Sequence, residues 1–237
     1  MSSPCRLYYI TDRTAFAPDE SARRRQLLEK IAEAASAGVD YIQLREKDLP
    51  TQDLESMARE AVCAVREAGE LTTDRWPLAP ALLINSRTDV ALAVGADGVH
   101  LRSDDVSPLE VRQIWERTQV SPTLRKSRRV GQPTQGNLHP LIGVSCHTQE
   151  DVVQAAADGA SFAVFAPVFE KKDAPGTQPT GLAMLEQACR ADIPVLALGG
   201  VTLGNAHACL AAGAAGIAAI RVFQENEIAQ IVRALRG

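Results

Sequence analysis

Four similar glycine-led segments recur along the chain and constrain its fold more than any other feature. They begin at Gly38, Gly95, Gly159 and Gly213, and they read GVDYI, GADGV, GASFA and GAAGI. Each glycine ends a helical pattern, where a left-handed residue is favoured, and an apolar run typical of a β-strand follows. The spacing leaves room for two strand–helix units per interval, so the repeat predicts a closed eightfold ring. Similar glycine-rich connections in an open sheet are the alternative.

Strand-like and helical patterns alternate along the whole chain. The predicted strands cover residues 7–11, 41–45, 81–85, 98–101, 141–145, 162–165, 195–198 and 216–219. The predicted helices cover residues 22–37, 51–68, 88–94, 108–117, 149–157, 182–191, 203–212 and 224–235. Eight strands, each followed by a helix, predict a (β/α)8 TIM barrel that forms a single domain over residues 1–237. The polar segment 119–140 is predicted to be an extended loop on the side opposite the site.

Charge and cysteine usage exclude several classes of protein. A net charge of −4 gives no general attraction to nucleic acid or to an anionic membrane, and the basic run 125–129 is interpreted as a solvated loop. The five cysteines are scattered without a CxxC pair, and no apolar run approaches the length of a membrane span. We therefore expect a cytoplasmic protein with reduced thiols, in which any anion is bound by a local site.

The end of the second predicted strand carries an amide and two cations on one face. Side chains alternate along a strand, so Gln43, Arg45 and Lys47 point one way, and Leu44 and Glu46 the other. We call these three residues the QxRxK set. Arginine and lysine together suit a phosphate or a pyrophosphate, so the set predicts an anion site. A solvated strand end is the alternative.

Polar residues also follow the other strands, at the end where barrel enzymes form their sites. Asn85 is the last residue of strand 3, and Lys172 lies in the loop after strand 6. Ser145 and His147 share one face at the end of strand 5, and His147 is the preferred proton carrier.

Two further features concern ions. After strands 7 and 8, Gly199, Gly200, Ile220 and Arg221 predict a phosphate site, because a Gly-Gly turn exposes backbone N–H groups before a helix. Asp104 and Asp105 are candidate Mg²⁺ ligands, with helix capping as the alternative.

Several stretches together resemble the thiamine phosphate synthase/TenI family. They are LYYITD at 7–12, QLREK at 43–47, DVALAVGADGVHL at 89–101, IGVSCHT at 142–148, PVLALGGV at 194–201 and AAGAAGIAAI at 211–220. The resemblance implies a (β/α)8 enzyme that joins a pyrimidine diphosphate to a thiazole phosphate and releases pyrophosphate with Mg²⁺. It also implies that the QxRxK set holds the diphosphate substrate and Ser145 touches pyrophosphate. Asp105 would bind the metal, and Gly200 with Ile220 and Arg221 would hold the thiazole phosphate.

Three departures from the synthase pattern leave the reaction open. Ser86 stands where an aspartate is expected, Arg102-Ser103 replace Gly-Gln, and the loop 170–176 lacks the expected threonines. These changes are similar to TenI-type tautomerases, which work on a thiazole without metal through a histidine at the position of His147. A synthase is the first interpretation, with a tautomerase or a non-catalytic regulatory barrel as alternatives. We expect small phosphorylated substrates and no nucleic acid or membrane partner, and a homo-oligomer stays open.

Overall fold

The computed structural model describes residues 4–16, 18–70, 80–120, 139–170, 176 and 178–237, and these form a closed barrel of parallel strands. Each strand pairs with the next one in the chain, and β8 pairs with β1. The strands are β1 (Arg6–Ile10), β2 (Tyr41–Leu44), β3 (Ala81–Asn85), β4 (Gly98–Leu101), β5 (Leu141–Cys146), β6 (Phe162–Phe165), β7 (Val195–Ala197) and β8 (Gly216–Ala219). The predicted (β/α)8 fold is confirmed.

Helices follow the strands and pack on the outside of the barrel. They are α1 (Glu20–Ala37), α2 (Thr51–Glu70), α3 (Thr88–Val94), α4 (Pro108–Val120), α5 (Gln149–Ala157), α6 (Gly181–Ala188), α7 (Leu203–Ala211), α8 (Arg221–Gln224) and α9 (Ile228–Arg236). A short 3-10 helix, Arg13–Ala15, was not predicted. The single predicted helix 224–235 was right for residues 228–235 and wrong for residues 225–227, because α8 ends at Gln224 and α9 begins at Ile228. A residue far away in the sequence holds the start of α9, since the N–H of Ile228 donates to Glu33 Oε1 at 2.8 Å.

The third residue of the glycine-led repeat is Asp, Asp, Ser and Ala in turn, and in the first three repeats its side chain accepts a backbone hydrogen bond. The N–H of Leu7 donates to Asp40 Oδ2 at 2.6 Å, and the N–H of Leu82 donates to Asp97 Oδ2 at 2.8 Å. The N–H of Ile142 donates to Ser161 Oγ at 3.1 Å. Each side chain therefore ties the start of an even strand to the odd strand before it. The fourth repeat has Ala215 at this place, which has no side-chain oxygen to offer.

Arginines from three helices bind the carbonyl groups of the repeat glycines. Arg66 donates to Gly95 O at 2.9 Å, and Arg112 donates to Gly159 O at 3.0 Å. Arg236 donates to Gly38 O at 2.6 Å and also pairs with Asp40. These contacts satisfy carbonyl groups at helix ends, where no intrahelical donor remains.

Aromatic side chains pack against small residues inside the barrel. Tyr41 and Phe162 stack with their centroids 4.8 Å apart, and Tyr8 meets Phe162 edge to face at 5.3 Å. Gly98 occupies the place in β4 that Tyr41 and Phe162 occupy in β2 and β6. A Cβ at Gly98 would lie 1.8 Å from Leu141 O, so only glycine fits between β4 and β5. The floor of the cavity is therefore closed by packed side chains.

The structure also bears on the predicted loop, on the cysteines and on membrane spans. Residues 121–138 of the predicted loop 119–140 lie outside the described residues, and α4 extends to Val120. All five cysteines are free. Among the helices in the described part of the chain, none combines the length and the apolar character that crossing a membrane requires.

Replacing Arg236 should destabilise the barrel. Burial raises the pKa of Asp40, and Arg236 opposes that shift, so Arg236→Ala leaves a poorly hydrated carboxylate without its partner. We expect the free energy of unfolding to fall by about 3 kcal/mol, measured by urea denaturation. Arg233→Ala, on an exposed position of the same helix, is the control and should change it by less than about 0.5 kcal/mol. Equal effects of the two variants would contradict this role for Arg236.

Candidate active site

One cavity of about 770 Å³ opens at the carboxyl ends of the strands. Eleven of the residues predicted from the sequence line it: Gln43, Arg45, Lys47, Asn85, Asp104, Ser145, His147, Gly199, Gly200, Ile220 and Arg221. Asp105 does not line the cavity and lies beside it, bonded to Ser86 and Arg102. Lys172 lies outside the described residues. The structure thus brings almost all of the predicted residues around one volume, while their roles stay predictions.

The QxRxK set presents two cations close together at the cavity wall. The positive charge of Arg45 lowers the pKa of Lys47 most, followed by burial and by the charge of Arg102. Within the described part of the chain, no carboxylate forms an ion pair with either side chain. Gln43 is buried and donates from Nε2 to Asn85 Oδ1 at 3.0 Å, which fixes both amides. The wall therefore offers uncompensated positive charge next to two oriented amides.

A buried ionic cluster that the sequence did not reveal supports this wall from behind. Glu46 accepts the hydroxyl of Thr11 at 2.6 Å and the N–H of Arg13 at 3.0 Å. The Thr11 hydroxyl oxygen also accepts the N–H of Arg45 at 3.0 Å. Arg13 is buried as well and pairs with Asp48 at 2.6 Å. The cluster ties the first loop to the end of β2 and fixes the backbone of Arg45.

His100 connects the barrel interior to the cavity. Its Nδ1 lies 3.1 Å from the Tyr8 hydroxyl, and its Nε2 lies 2.9 Å from Ser145 Oγ. Burial, with a smaller effect of Arg45, lowers the pKa of His100 to about 3, so the ring is neutral near pH 7. A neutral imidazole donates at one nitrogen and accepts at the other, so it orients the Ser145 hydroxyl. The sequence placed Ser145 and His147 on one face of β5, whereas the structure gives Ser145 a different histidine, His100, as its hydrogen-bond partner.

His147 is nevertheless held in a geometry suited to proton transfer. Its Nδ1 lies 2.7 Å from Ala166 O, and a carbonyl oxygen accepts only, so this nitrogen carries the proton. Nε2 of the neutral ring is then left with its lone pair, on a residue that lines the cavity. This histidine can therefore take up a proton from a bound molecule.

The turn after β7 offers backbone donors at the far side of the cavity. Gly199 and Gly200 have φ values of 93° and 64°. A Cβ at Gly200 would lie 2.4 Å from Glu170 O, so only glycine fits. The N–H groups of Gly200 and Val201 have no partner among the described residues, and α7 begins two residues later. Free backbone donors ahead of a helix indicate a site for an anion such as phosphate.

The two acidic residues predicted to bind Mg²⁺ are both engaged by Arg102. Arg102 Nη2 lies 3.1 Å from Asp104 Oδ2 and 3.5 Å from Asp105 Oδ1. Asp105 Oδ2 also accepts the Ser86 hydroxyl at 2.6 Å and the N–H of Arg102 at 2.7 Å. Over the described residues, no group of three His, Cys, Asp or Glu side chains is close enough to share a metal. A guanidinium between the carboxylates would repel a dication, so this donor set does not fit Mg²⁺ as it stands.

His100 should make the protein less stable as the pH falls below 6.5. The folded state holds a His100 pKa near 3, whereas the unfolded chain takes up the proton near 6.5, so acid favours unfolding. Between pH 6.5 and 4.5, wild type should lose about 2 kcal/mol more stability than His100→Gln in urea denaturation. His207→Gln, at an exposed histidine, should keep the wild-type pH dependence. An identical pH dependence in His100→Gln would refute the depressed pKa.

Relatives of this chain carry a consistent description. A putative thiamine-phosphate synthase of Geobacter sulfurreducens is 40% identical over 217 residues, which cover 90% of this chain and 84% of the relative. The thiamine-phosphate synthase of Methanoculleus marisnigri is 37% identical over 236 residues, covering 97% and 93%. The putative thiamine-phosphate synthase 2 of Aquifex aeolicus is 34% identical over 221 residues, covering 93% and 98%.

One solved structure and a family model carry the same description as these relatives. Thiamine phosphate pyrophosphorylase from Pyrococcus furiosus superposes with a TM-score of 0.71 at 26% identity, covering 98% of this chain and 93% of that chain. A 3-hexulose-6-phosphate synthase superposes with a TM-score of 0.54 at 17% identity, over 100% of this chain and 98% of that one, which shows the fold alone. The family model described as thiamine monophosphate synthase matches residues 7–138 and 135–223. Since that match takes in most of the barrel, this chain belongs to the thiamine monophosphate synthase family.

Proposed function

We propose that this chain condenses hydroxymethylpyrimidine diphosphate with thiazole phosphate, giving thiamine phosphate and pyrophosphate. Family membership already makes it a transferase-type enzyme of thiamine biosynthesis. The observation that carries the specific reaction is a single cavity with two separate groups of anion donors. One group is the QxRxK set on β2, and the other is the turn after β7. An enzyme that joins two phosphorylated molecules needs both groups, whereas one that rearranges a single molecule needs one.

The diphosphate end is assigned to the cations at the ends of β2 and β4. Arg45 and Lys47 face the cavity without carboxylate partners in the described part of the chain, and Arg102 lines the same volume. Guanidinium groups bind phosphate oxygens in pairs, and an ammonium adds a compact charge. A pyrophosphate leaving group gains negative charge as its bond to carbon breaks. Fixed cations at that place stabilise the transition state more than the ground state.

The pyrimidine is assigned to the amides and the serine between the two anion sites. Gln43 uses Nε2 on Asn85, which leaves its Oε1 to accept a hydrogen bond from an exocyclic amine. Ser145 is held through His100 and can donate to or accept from a ring nitrogen or amine. These side chains can orient the ring so that its methylene carbon faces the second substrate.

The thiazole phosphate is assigned to the backbone donors of Gly200 and Val201, with Gly199, Ile220 and Arg221 beside them. Binding there would bring the thiazole nitrogen toward the pyrimidine methylene. The carbon–oxygen bond to pyrophosphate breaks, its electron pair leaves with the pyrophosphate, and the thiazole nitrogen supplies the pair for the new carbon–nitrogen bond. The protein supplies position and charge, and no proton must move for the bond exchange itself.

Magnesium is the cofactor that the family resemblance implies, and it would offset charge on the departing pyrophosphate. The predicted ligands Asp104 and Asp105 are engaged by Arg102, so the steps above use only the chain's own cations. Magnesium binding by these two residues stays a prediction that their geometry does not favour. Cytoplasmic location and a homo-oligomer also stay predictions.

A TenI-type thiazole tautomerase is the second candidate, favoured by the geometry of His147. Its fixed tautomer leaves Nε2 as a base beside the cavity, as a shift of a double bond with proton transfer requires. This reaction would use the thiazole phosphate end alone, so Arg45 and Lys47 would have no phosphate group to bind. The relatives are described as synthases, so the non-catalytic barrel is not proposed.

Arg45→Ala should abolish the condensation. Incubation of wild type with both substrates should yield thiamine phosphate and pyrophosphate, and the variant should lose at least about a thousandfold in kcat/KM, because one cation at the leaving group is removed. The control is Arg87→Ala, since Arg87 pairs with Asp89 and is not among the residues that line the cavity. Unchanged pyrophosphate release by Arg45→Ala would refute the synthase assignment.

His147→Ala separates the two candidate reactions. A synthase should keep condensation within about tenfold, because the bond exchange needs no base, whereas a tautomerase should lose its activity completely. The measurement follows thiamine phosphate formation and thiazole isomerisation in parallel on the same preparation. Complete loss of condensation with intact binding of thiazole phosphate would give His147 a catalytic role that we do not assign to it.

A further inference from the structure

Arg102 lies beside the two aspartates that were predicted to bind a metal cation. Its guanidinium lines the cavity and lies 3.1 Å from Asp104 and 3.5 Å from Asp105. Half of the Arg102 side chain is exposed, so the N–H groups not used on the aspartates face the cavity. The position is therefore already occupied by a positive charge that belongs to the chain.

Asp105 has little capacity left for a metal. Its Oδ2 accepts two hydrogen bonds, from Ser86 Oγ and from the N–H of Arg102, and its side chain is only 14% exposed. A divalent ion would have to displace these donors and also sit against the guanidinium. The charge repulsion and the lost hydrogen bonds both act against metal binding.

Ser86, the residue after β3, completes this arrangement. It has a φ of 58°, and it is the only residue other than glycine with a positive φ in the described part of the chain. Aspartate tolerates this backbone region better than most residues do, so an aspartate fits here without new strain. Serine instead gives Asp105 a neutral hydroxyl donor, which stabilises a carboxylate that has no metal beside it.

Three cations, Arg45, Lys47 and Arg102, line the cavity at its diphosphate end. Arg45 lowers the pKa of Lys47 most, burial comes next and Arg102 acts in the same direction, while Asp104 opposes them. The three side chains thus lie close enough to repel one another. Such repulsion is relieved when a polyanion enters, so binding of an anion is favoured without an added cation.

We propose that Arg102 takes the place of the divalent metal, so that Arg45, Lys47 and Arg102 bind the diphosphate group and the pyrophosphate product without Mg²⁺. The inference rests on the proposed function for the identity of the anion. It assigns to Arg102 a binding role that the QxRxK set alone does not supply. The guanidinium is held by Asp104 and Asp105, which act as positioning residues and not as metal ligands.

Calorimetry with inorganic pyrophosphate tests the proposal directly on the full chain. Wild type should bind pyrophosphate in EDTA with a Kd within about threefold of the Kd in Mg²⁺. Arg102→Ala should weaken binding in EDTA by at least about tenfold, since a charge-assisted bond is lost. Arg87→Ala is the matched control, because Arg87 also pairs with an aspartate two residues later but does not line the cavity, and it should bind as wild type does.

The double variant Ser86→Asp/Arg102→Gly supplies the reverse experiment. It removes the fixed cation and adds a carboxylate beside Asp105, so pyrophosphate binding should become dependent on Mg²⁺ by at least about tenfold. Circular dichroism checks that each variant is folded. Pyrophosphate binding by wild type only in Mg²⁺, or unchanged binding by folded Arg102→Ala in EDTA, would overturn the proposal.

The same measurements separate this proposal from the proposed function. If wild type binds pyrophosphate in EDTA but never forms thiamine phosphate, the reaction is wrong and the role of Arg102 stands. If thiamine phosphate forms only when Mg²⁺ is present and pyrophosphate binding also requires it, the reaction stands and the role of Arg102 is wrong.

Discussion

The buried carboxylate of Glu46 is the group on which the geometry of the cavity depends. A charge removed from water is costly unless donors replace its hydration, and Thr11 and Arg13 supply them. The same contacts join the end of β1 to the end of β2 and fix the backbone at Arg45. Arg13 also forms ion pairs with the carboxylates of Glu46, Asp48 and Glu20. The cations that face the cavity are thereby left to bind a ligand.

Sequence periodicity predicted the barrel because each glycine-led repeat marks a local event, the end of a helix and the start of a strand. Four of the eight strands differ by one residue at one or both ends from the prediction, and the other four are the same. The predicted helix 224–235 missed the break at residues 225–227, because the contact between Ile228 and Glu33 at the start of α9 joins segments almost two hundred residues apart. Such a contact leaves no local pattern in the sequence.

The cavity wall was predictable where side chains alternate on a strand and less so behind it. Gln43, Arg45 and Lys47 are two residues apart, and that spacing alone places them on one face. The role of His100 depends on burial and on two partners from β1 and β5, so its lowered pKa could not be read from neighbours in the sequence. The sequence did contain one signal for the supporting cluster, since Glu46 alternates with Arg45 and must face away from the cavity. Its partners became evident only when β1 and β2 were placed side by side.

The contacts of Arg236 have a consequence for how the ring comes together. This one guanidinium binds the carbonyl groups of Cys5 and Gly38 and the carboxylate of Asp40, which lie just before the two strands that begin the barrel. β1 also needs β8 as its second neighbour, so two of the first elements lack their final partners until residues 216–236 have been made. Contacts between such distant segments slow folding, because the entropy of closing a long loop is lost before the contact is gained. We therefore expect the final closure of the barrel to come late in its folding, with the edge of β1 that pairs with β8 exposed until then.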